Sequence, residues 1–442
     1  MNLQSQGDEE AKGYKEINEE KPKDEVKRIT PLLIFLCVFN LFLKAAYSIC
    51  PPFLPAEALE KQVRQEYIGI MFCIYSVAFA IISPLVGKFI PTVGRRNFLI
   101  IGCILIVTSN IGFAFMHFVN NSMVFSILFM VMRIIQGIGT GIIQTTNYSI
   151  VSLVYENQVE FAIGLLESAA GFGLCFGPII GIGLLKVGGY VGSFLTFAIL
   201  FIIFAIVIRP VLPSNLDTTN EDEDEVDTSN YSYFKLLTNR RILFANLSVI
   251  LNIAQYTFID PILSHRMQQE FGYDVKFTSL MFFFIGFGYS TTCNVVHITL
   301  GFISKRRCIM LFFLLNGVCT LLYGPIDLFS IPKSVWVVSI AMVIAGFSSA
   351  HTLIPTYPEM LVAGTEELGM PKKVVDNLGS GLFNMNFAIG EVLGPLVGNQ
   401  LYVSTGIVNT SNSAGGFILG FTLLYYLCCD KRMPWNKKQH DD

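Results

Sequence analysis

Twelve stretches of this chain run for about 20 residues or more with few charges, a length that matches the hydrocarbon core of a bilayer. Inside lipid each backbone N–H and C=O must find its partner within the segment, so such runs become helices. They lie near 31–54, 67–90, 97–118, 123–147, 160–185 and 191–211, and then near 242–264, 276–303, 308–328, 334–362, 377–402 and 413–429. With 52% hydrophobic and 14% charged residues and a mean hydropathy of +0.56, no single soluble core could hide the apolar surface. The sequence predicts an all-α membrane protein with twelve transmembrane helices, six on each side of a polar stretch.

Charge placement orients the spans. Lysine and arginine gather in alternate connections, at Arg95 and Arg96, at Arg209, Lys235, Arg240 and Arg241, at Lys305 to Arg307, and at Lys372 and Lys373. Positive loops stay on the cytosolic side, so both termini and the middle stretch are expected there. The expected organisation is a disordered cytosolic tail over 1–28, a six-helix bundle over 29–211, an acidic linker over 212–240, a second bundle over 241–430 and a tail over 431–442. The first 28 residues lack an apolar h-region, so the first membrane helix serves as the targeting signal. Glycosylation sequons at Asn120 and Asn409 fall in loops on the opposite face. Glu221–Asp227, with six acids in seven residues, reads as a solvated linker or a regulatory docking site.

Several functions are excluded. A net charge of −3 gives no nucleic-acid partner. No phosphate-cradling loop ends in lysine and no His/Cys cluster has zinc spacing, which argues against an ATP-driven pump, an enzyme, a cofactor or a metal. Most of the ten cysteines fall inside spans, where a thiol acts as a small hydrophobe. Cys428 and Cys429, at the last helix end, are ordinary membrane-edge thiols or acylation sites.

Two helices share an unusual pattern. Residues 167–183 carry Glu167, glycines at 173, 177 and 181, and a Gly177-Pro178 step, and Gly394-Pro395 repeats that step half a chain later. Glycines four apart lie on one face and let another helix approach closely. Paired broken helices in equivalent places indicate a duplicated carrier. Aligned on the Gly-Pro step, Glu167 falls opposite Asn384 and Glu391 opposite Leu174, so each half places its charge independently.

The loop from Gly87 to Arg96 resembles the major facilitator signature Gly-x-x-x-Asp-Arg-x-Gly-Arg-Arg. Gly87, Gly94, Arg95 and Arg96 match, whereas Pro91 and Thr92 replace the Asp-Arg pair and its charge lock. Arg133-Ile134-Ile135-Gln136-Gly137 is similar to the superfamily's Arg-x-x-Gln-Gly motif, which implies either proton coupling by Arg133 or a backbone-bonding role. The fifth-span Gly-Pro segment resembles the antiporter signature. Tyr47–Pro55, Leu166–Ser168, Phe258–Leu263 and Ile354–Leu361 resemble the vesicular amine transporters, most of all their polyamine branch. The resemblance covers roughly 30–430 and implies two pseudo-symmetric six-helix bundles, exchange of protons for an organic cation, and a vesicular or other endomembrane address, with the plasma membrane as the alternative. Where monoamine carriers place aspartates, this chain has Leu43-Lys44 and Asn384, and Asp260 replaces their seventh-span glutamate, so the monoamine pocket is incomplete.

Charges inside spans are costly and mark function or a partner. Glu167, Glu391, Asp260 and Arg133 are the candidates for proton coupling. Lys44, Asp260, Glu359, Glu391, Asn384, Tyr256 and Gln144 are the candidates for substrate binding. Lys44 would repel a cation unless an acid such as Glu391 or Asp260 neutralises it; otherwise it binds an anionic or zwitterionic substrate. Glu359 either lines the cavity or snorkels to the cytosolic edge. His297 and His351 are proton relays or satisfied structural imidazoles. Asn147, Gln255, Asn294 and Asn386 line the cavity or join helices. The reading is a monomeric carrier of a small organic cation and protons in a lipid bilayer. A multidrug carrier, a channel and a flux-free sensor are the alternatives.

Overall fold

A computed structural model describes residues 29–50, 57–58, 60–63, 65–213, 216–217, 231–259, 262–263, 266–267, 270–272, 275–324 and 334–430. The acidic run 221–227, Asp260 and both tails lie outside the described residues. Helix α1 spans Pro31–Ser48, α2 Gln65–Val93, α3 Arg95–Met116, α4 Ser122–Val154 and α5 Val159–Val211. The second half comprises α6 Tyr233–Thr238, α7 Arg240–Thr257, α8 Val275–Cys293, α9 Val296–Leu300, α10 Lys305–Tyr323, α11 Val335–Leu353, α12 Thr356–Val362 and α13 Lys372–Tyr425. Helix starts follow local chemistry. Thr30 caps α1 ahead of Pro31, and Asn121 accepts from the Met123 and Val124 amides to open α4.

Eight helical stretches among the described residues are long and apolar enough to cross a membrane. Two of them, Glu156–Val211 and Lys372–Cys429, hold 56 and 58 residues, which at about 1.5 Å per residue is far more than one crossing needs. Each is broken once, at Gly189 (φ 64°) and at Gly406 (φ 76°), in backbone geometry that glycine tolerates and other residues do not. Both therefore read as two spans meeting at one residue. This corrects the expected loop after residue 402: Asn409 lies on α13, where its side-chain amide donates to the Thr405 carbonyl at 3.1 Å. Asn120 remains in the α3–α4 connection.

Helices before the linker pack on one another (α1 and α3 on α5, α2 and α3 on α4), and those after it do likewise (α7 and α10 on α13, α8 and α10 on α11). Two seams join the halves, α2 against α13 and α5 against α8. The Gly-Pro helices take matching positions. A Cβ on Gly173 would lie 2.1 Å from the Leu41 carbonyl oxygen, and one on Gly177 3.0 Å from the Ala45 Cα, so α5 rests on the α1 backbone. One on Gly394 would lie 2.5 Å from the Ala254 carbonyl oxygen, so α13 rests on α7 in the same way. Gly181 continues the buried face of α5. Pro178 and Pro395 leave the carbonyls four residues back, at Leu174 and Glu391, without a helical donor.

Gly394→Val should overpack the α13–α7 contact and lower the thermal midpoint of detergent-purified protein by several degrees, with a loss of about 1–3 kcal/mol. Gly416→Val, where a Cβ meets nothing within 4 Å, should leave the midpoint unchanged.

Candidate functional site

The α2–α13 seam brings two of the sequence candidates, Lys44 and Glu391, to one set of side chains. Ser76 of α2 donates to Glu391 Oε2 at 2.9 Å, a bond that crosses between the halves. One turn along each helix, Phe79 and Phe387 face each other with ring centroids 6.5 Å apart. Lys44 of α1 reaches this pair, its Nζ 4.9 Å from the Phe387 centroid and 5.8 Å from that of Phe79. Lys44 is 3% exposed and forms no ion pair among the described residues.

Glu167 is itself buried and fully hydrogen-bonded. Tyr148 donates to Oε1 at 2.8 Å, and Tyr289, from α8 in the other half, donates to Oε2 at 2.7 Å. Tyr148 stacks on Phe383 of α13 at 4.9 Å, and Tyr256 meets Tyr289 edge-on at 5.9 Å. Each central acid therefore holds a hydrogen bond across the seam between the halves, in opposite directions.

Other polar candidates divide by their partners. Gln144 and Asn147 of α4 are buried with no side-chain hydrogen bond among the described residues, and Asn384 uses only its amide nitrogen, on the Ser380 carbonyl. Asn386 donates to Asn246, Gln255 to Thr320 and Asn294 to Ser168, so these three join helices. His351 is held by Thr299 at 3.0 Å and the Phe347 carbonyl at 3.1 Å and stacks on Phe312, a satisfied structural imidazole. His297 packs edge-on against Phe161. Arg133 is fully buried, bonds Gln136 at 2.8 Å and lies 5.4–6.0 Å from the centroids of Tyr47, Phe72, Tyr75, Phe113 and Phe129. It is an aromatic-caged cation beside the central cluster, sharing Tyr75 with its edge.

The sequence from 34 to 395 matches the family model of the Major Facilitator Superfamily. The chain belongs to that superfamily. It is a multi-pass membrane transporter, a secondary carrier and not an enzyme. It is 27% identical over 431 residues to the MFS-type transporter SLC18B1 of Rattus norvegicus, covering 94% of this chain and 91% of that protein. This match bears out the resemblance to the vesicular amine transporters and their polyamine branch. The fold is similar to that of the human organic anion transporter MFSD10 (TETRAN), with a TM-score of 0.71, 16% identity and coverage of 90% of this chain and all of that one. It is equally similar to a bacterial homologue of the iron transporter ferroportin in its outward-facing state, with a TM-score of 0.72, 13% identity and the same coverage.

The superfamily signature loop lacks its acid here, and the linker supplies a replacement. Asp217 accepts from the Arg95 backbone N–H at 3.0 Å and from its Nη1 at 3.1 Å. Arg95 Nη2 and the Ser149 hydroxyl both donate to Asn377 Oδ1 of α13, at 2.8 and 2.7 Å, which ties the halves together at the linker end. Arg96 donates to the Leu212 carbonyl. Gly94 (φ 84°) admits Asp217, and Gly87 lies where a Cβ would be 2.5 Å from the Asn377 carbonyl oxygen and 2.7 Å from the Tyr233 hydroxyl. Tyr233, on linker helix α6, donates to the Pro84 carbonyl. Tyr357 to Ser152, Lys305 to Glu160 and Lys372 to Glu156 also cross at this end.

Glu359 does not join the central cluster. It sits on α12 at the linker end, 2% exposed, bonded to Arg241 at the start of α7 and to Arg306 at the start of α10. Sequence reasoning missed Tyr148, Tyr289, Phe79, Ser76 and Asp217, which carry no motif. Phe387 was findable, because it precedes Glu391 by four residues and so shares its helix face.

Glu359→Gln leaves two arginines without their shared buried carboxylate and should destabilise the protein by about 3–5 kcal/mol, read as a lowered thermal midpoint. Glu366→Gln, whose side chain is 63% exposed at 3.8 Å from Arg241, should shift it within about 0.5 kcal/mol.

Proposed function

We propose that this carrier exchanges protons for an organic cation, a polyamine or related amine, by alternating access. The observation that carries this reading is the reciprocal bridging of the central acids: Glu167 of the first half by Tyr289 of the second, and Glu391 of the second by Ser76 of the first. An ionised carboxylate accepts such bonds about twice as strongly as a neutral group does. Protonation turns one oxygen from acceptor into donor, and a bound ammonium competes for the same lone pairs. Either event weakens the crossing bonds and biases the rocking of the halves, so the two ligands act on one equilibrium. Two acids among aromatic faces suit an elongated cation with more than one ammonium group.

In this reading twelve spans form two bundles, 29–211 and 241–430, joined by the linker 212–240, and the carrier is a monomer in a vesicular or other endomembrane with both termini cytosolic. Glu167 and Glu391 exchange the protons, with Arg133 supporting the network and Asp260 completing the cavity. Gln144, Asn147, Asn384 and Tyr256 supply polar and aromatic lining. Glu359 and Arg95 serve the closure at the linker end.

Glu391→Gln should abolish uptake driven by an imposed pH gradient in proteoliposomes while the protein still folds and inserts. A panel of polyamines, monoamines, amino acids and drugs identifies the cargo. Normal gradient-driven uptake by the variant removes Glu391 from the mechanism, and flux of anions alone refutes the cation reading.

A further inference from the structure

Lys44 is a buried cation at the centre of a site read as accepting cations. Its ammonium lies against Phe79 and Phe387, with Glu391 one helical turn from Phe387 on the same face of α13, and it has no ion pair of its own among the described residues. Such a placement offers an ammonium what an external cation would also find: two aromatic faces and an acid one helical turn beyond, with cation–π attraction strongest where water is excluded. Two cations cannot share that place.

Resting on the proposed transport of organic cations, we infer that Phe79, Phe387 and Glu391 form a seat for a terminal primary ammonium of the cargo. Lys44 occupies this seat in the unloaded carrier, and cargo enters by displacing it. The lysine side chain is a butylammonium group, so the seat is shaped for an unbranched methylene chain ending in –NH3+. A linear α,ω-diamine presents the same end. A trimethylammonium end is broader and has no N–H to give Glu391. Glu167, with its two tyrosine donors, is the station for the second ammonium.

The mobility this requires belongs to a side chain and not to a helix. Lys44 stands between Leu41 and Ala45, the points where α5 makes its closest approaches to the α1 backbone through Gly173 and Gly177. With α1 pinned there, the lysine leaves the seat by rotamer change alone. A resident competitor lowers the apparent affinity by the fraction of carriers whose seat is free. Lys44 thereby also sets specificity, since only a cation that satisfies the seat better than the lysine does can dislodge it.

The test is equilibrium binding of 1,4-diaminobutane and of its fully N-methylated bis-quaternary analogue to full-length protein in nanodiscs. Wild type, K44M, K44Q and K44R are compared, with thermal midpoints to verify folding. K44M and K44Q should bind the diamine about tenfold tighter than wild type, K44R should not, and neither neutral variant should gain for the quaternary analogue. Wild type binding the diamine with no gain in the folded neutral variants overturns the inference alone, and so does an equal gain for both ligands. No amine binding by any of the four proteins overturns the transport reading together with it.

Discussion

The arrangement depends on backbone lying against backbone where α5 crosses α1 and α13 crosses α7. Lipid gives helices no hydrophobic reason to associate, so close van der Waals approach must supply the attraction, and side-chain-free faces are what permit it. Glycines 173 and 177 on one side and 394 on the other set that distance. Because α1 cannot shift along α5, Lys44 projects at a fixed height. Because α13 cannot shift along α7, Glu391 and Phe387 meet it there. The Gly-Pro steps add a second effect at the same level, since Pro395 strips the Glu391 carbonyl of its helical donor and makes this turn of α13 more polar than its side chains alone.

The close approaches of the two Gly-Pro helices thus lie inside each half, and each central acid holds a bond between halves. Within halves the contacts combine glycine faces and apolar packing with charged bonds such as Tyr148 to Glu167 and Glu359 to Arg241 and Arg306. Between halves they are hydrogen bonds to ionisable groups: Ser76 to Glu391, Tyr289 to Glu167, Arg95 to Asn377. A ligand that changes the charge of Glu391 or Glu167 reaches a contact between halves.

Membrane helices were legible because long apolar runs leave a chain so few alternatives. Charged residues inside those runs were legible for the same reason, and Lys44 and Glu167 are buried and Glu391 partly so. Their partners were not. With 38 phenylalanines and 17 tyrosines in the chain, an aromatic residue in a span carries no information until the tertiary fold selects it, as it selects Phe79, Tyr148 and Tyr289. Glu359 shows the converse: a buried acid near a proline reads as cavity lining, yet two arginines from distant helix starts claim it. The lost acid of the signature loop was legible as an absence, whereas its replacement, Asp217, lies 122 residues from Arg95 and is defined only by the fold. Asp260 lies outside the described residues.

Asp217 and Tyr233 give the linker two fixed footings on the closed end, one at Arg95 and one beside Gly87 and Gly381. Tyr233 follows the acidic run, donates to the first half at Pro84 and lies against Gly381 of the second, so the far end of the linker is held at the seam between them. The linker is thereby a part of the contact between α2 and α13 as well as a tether between the bundles.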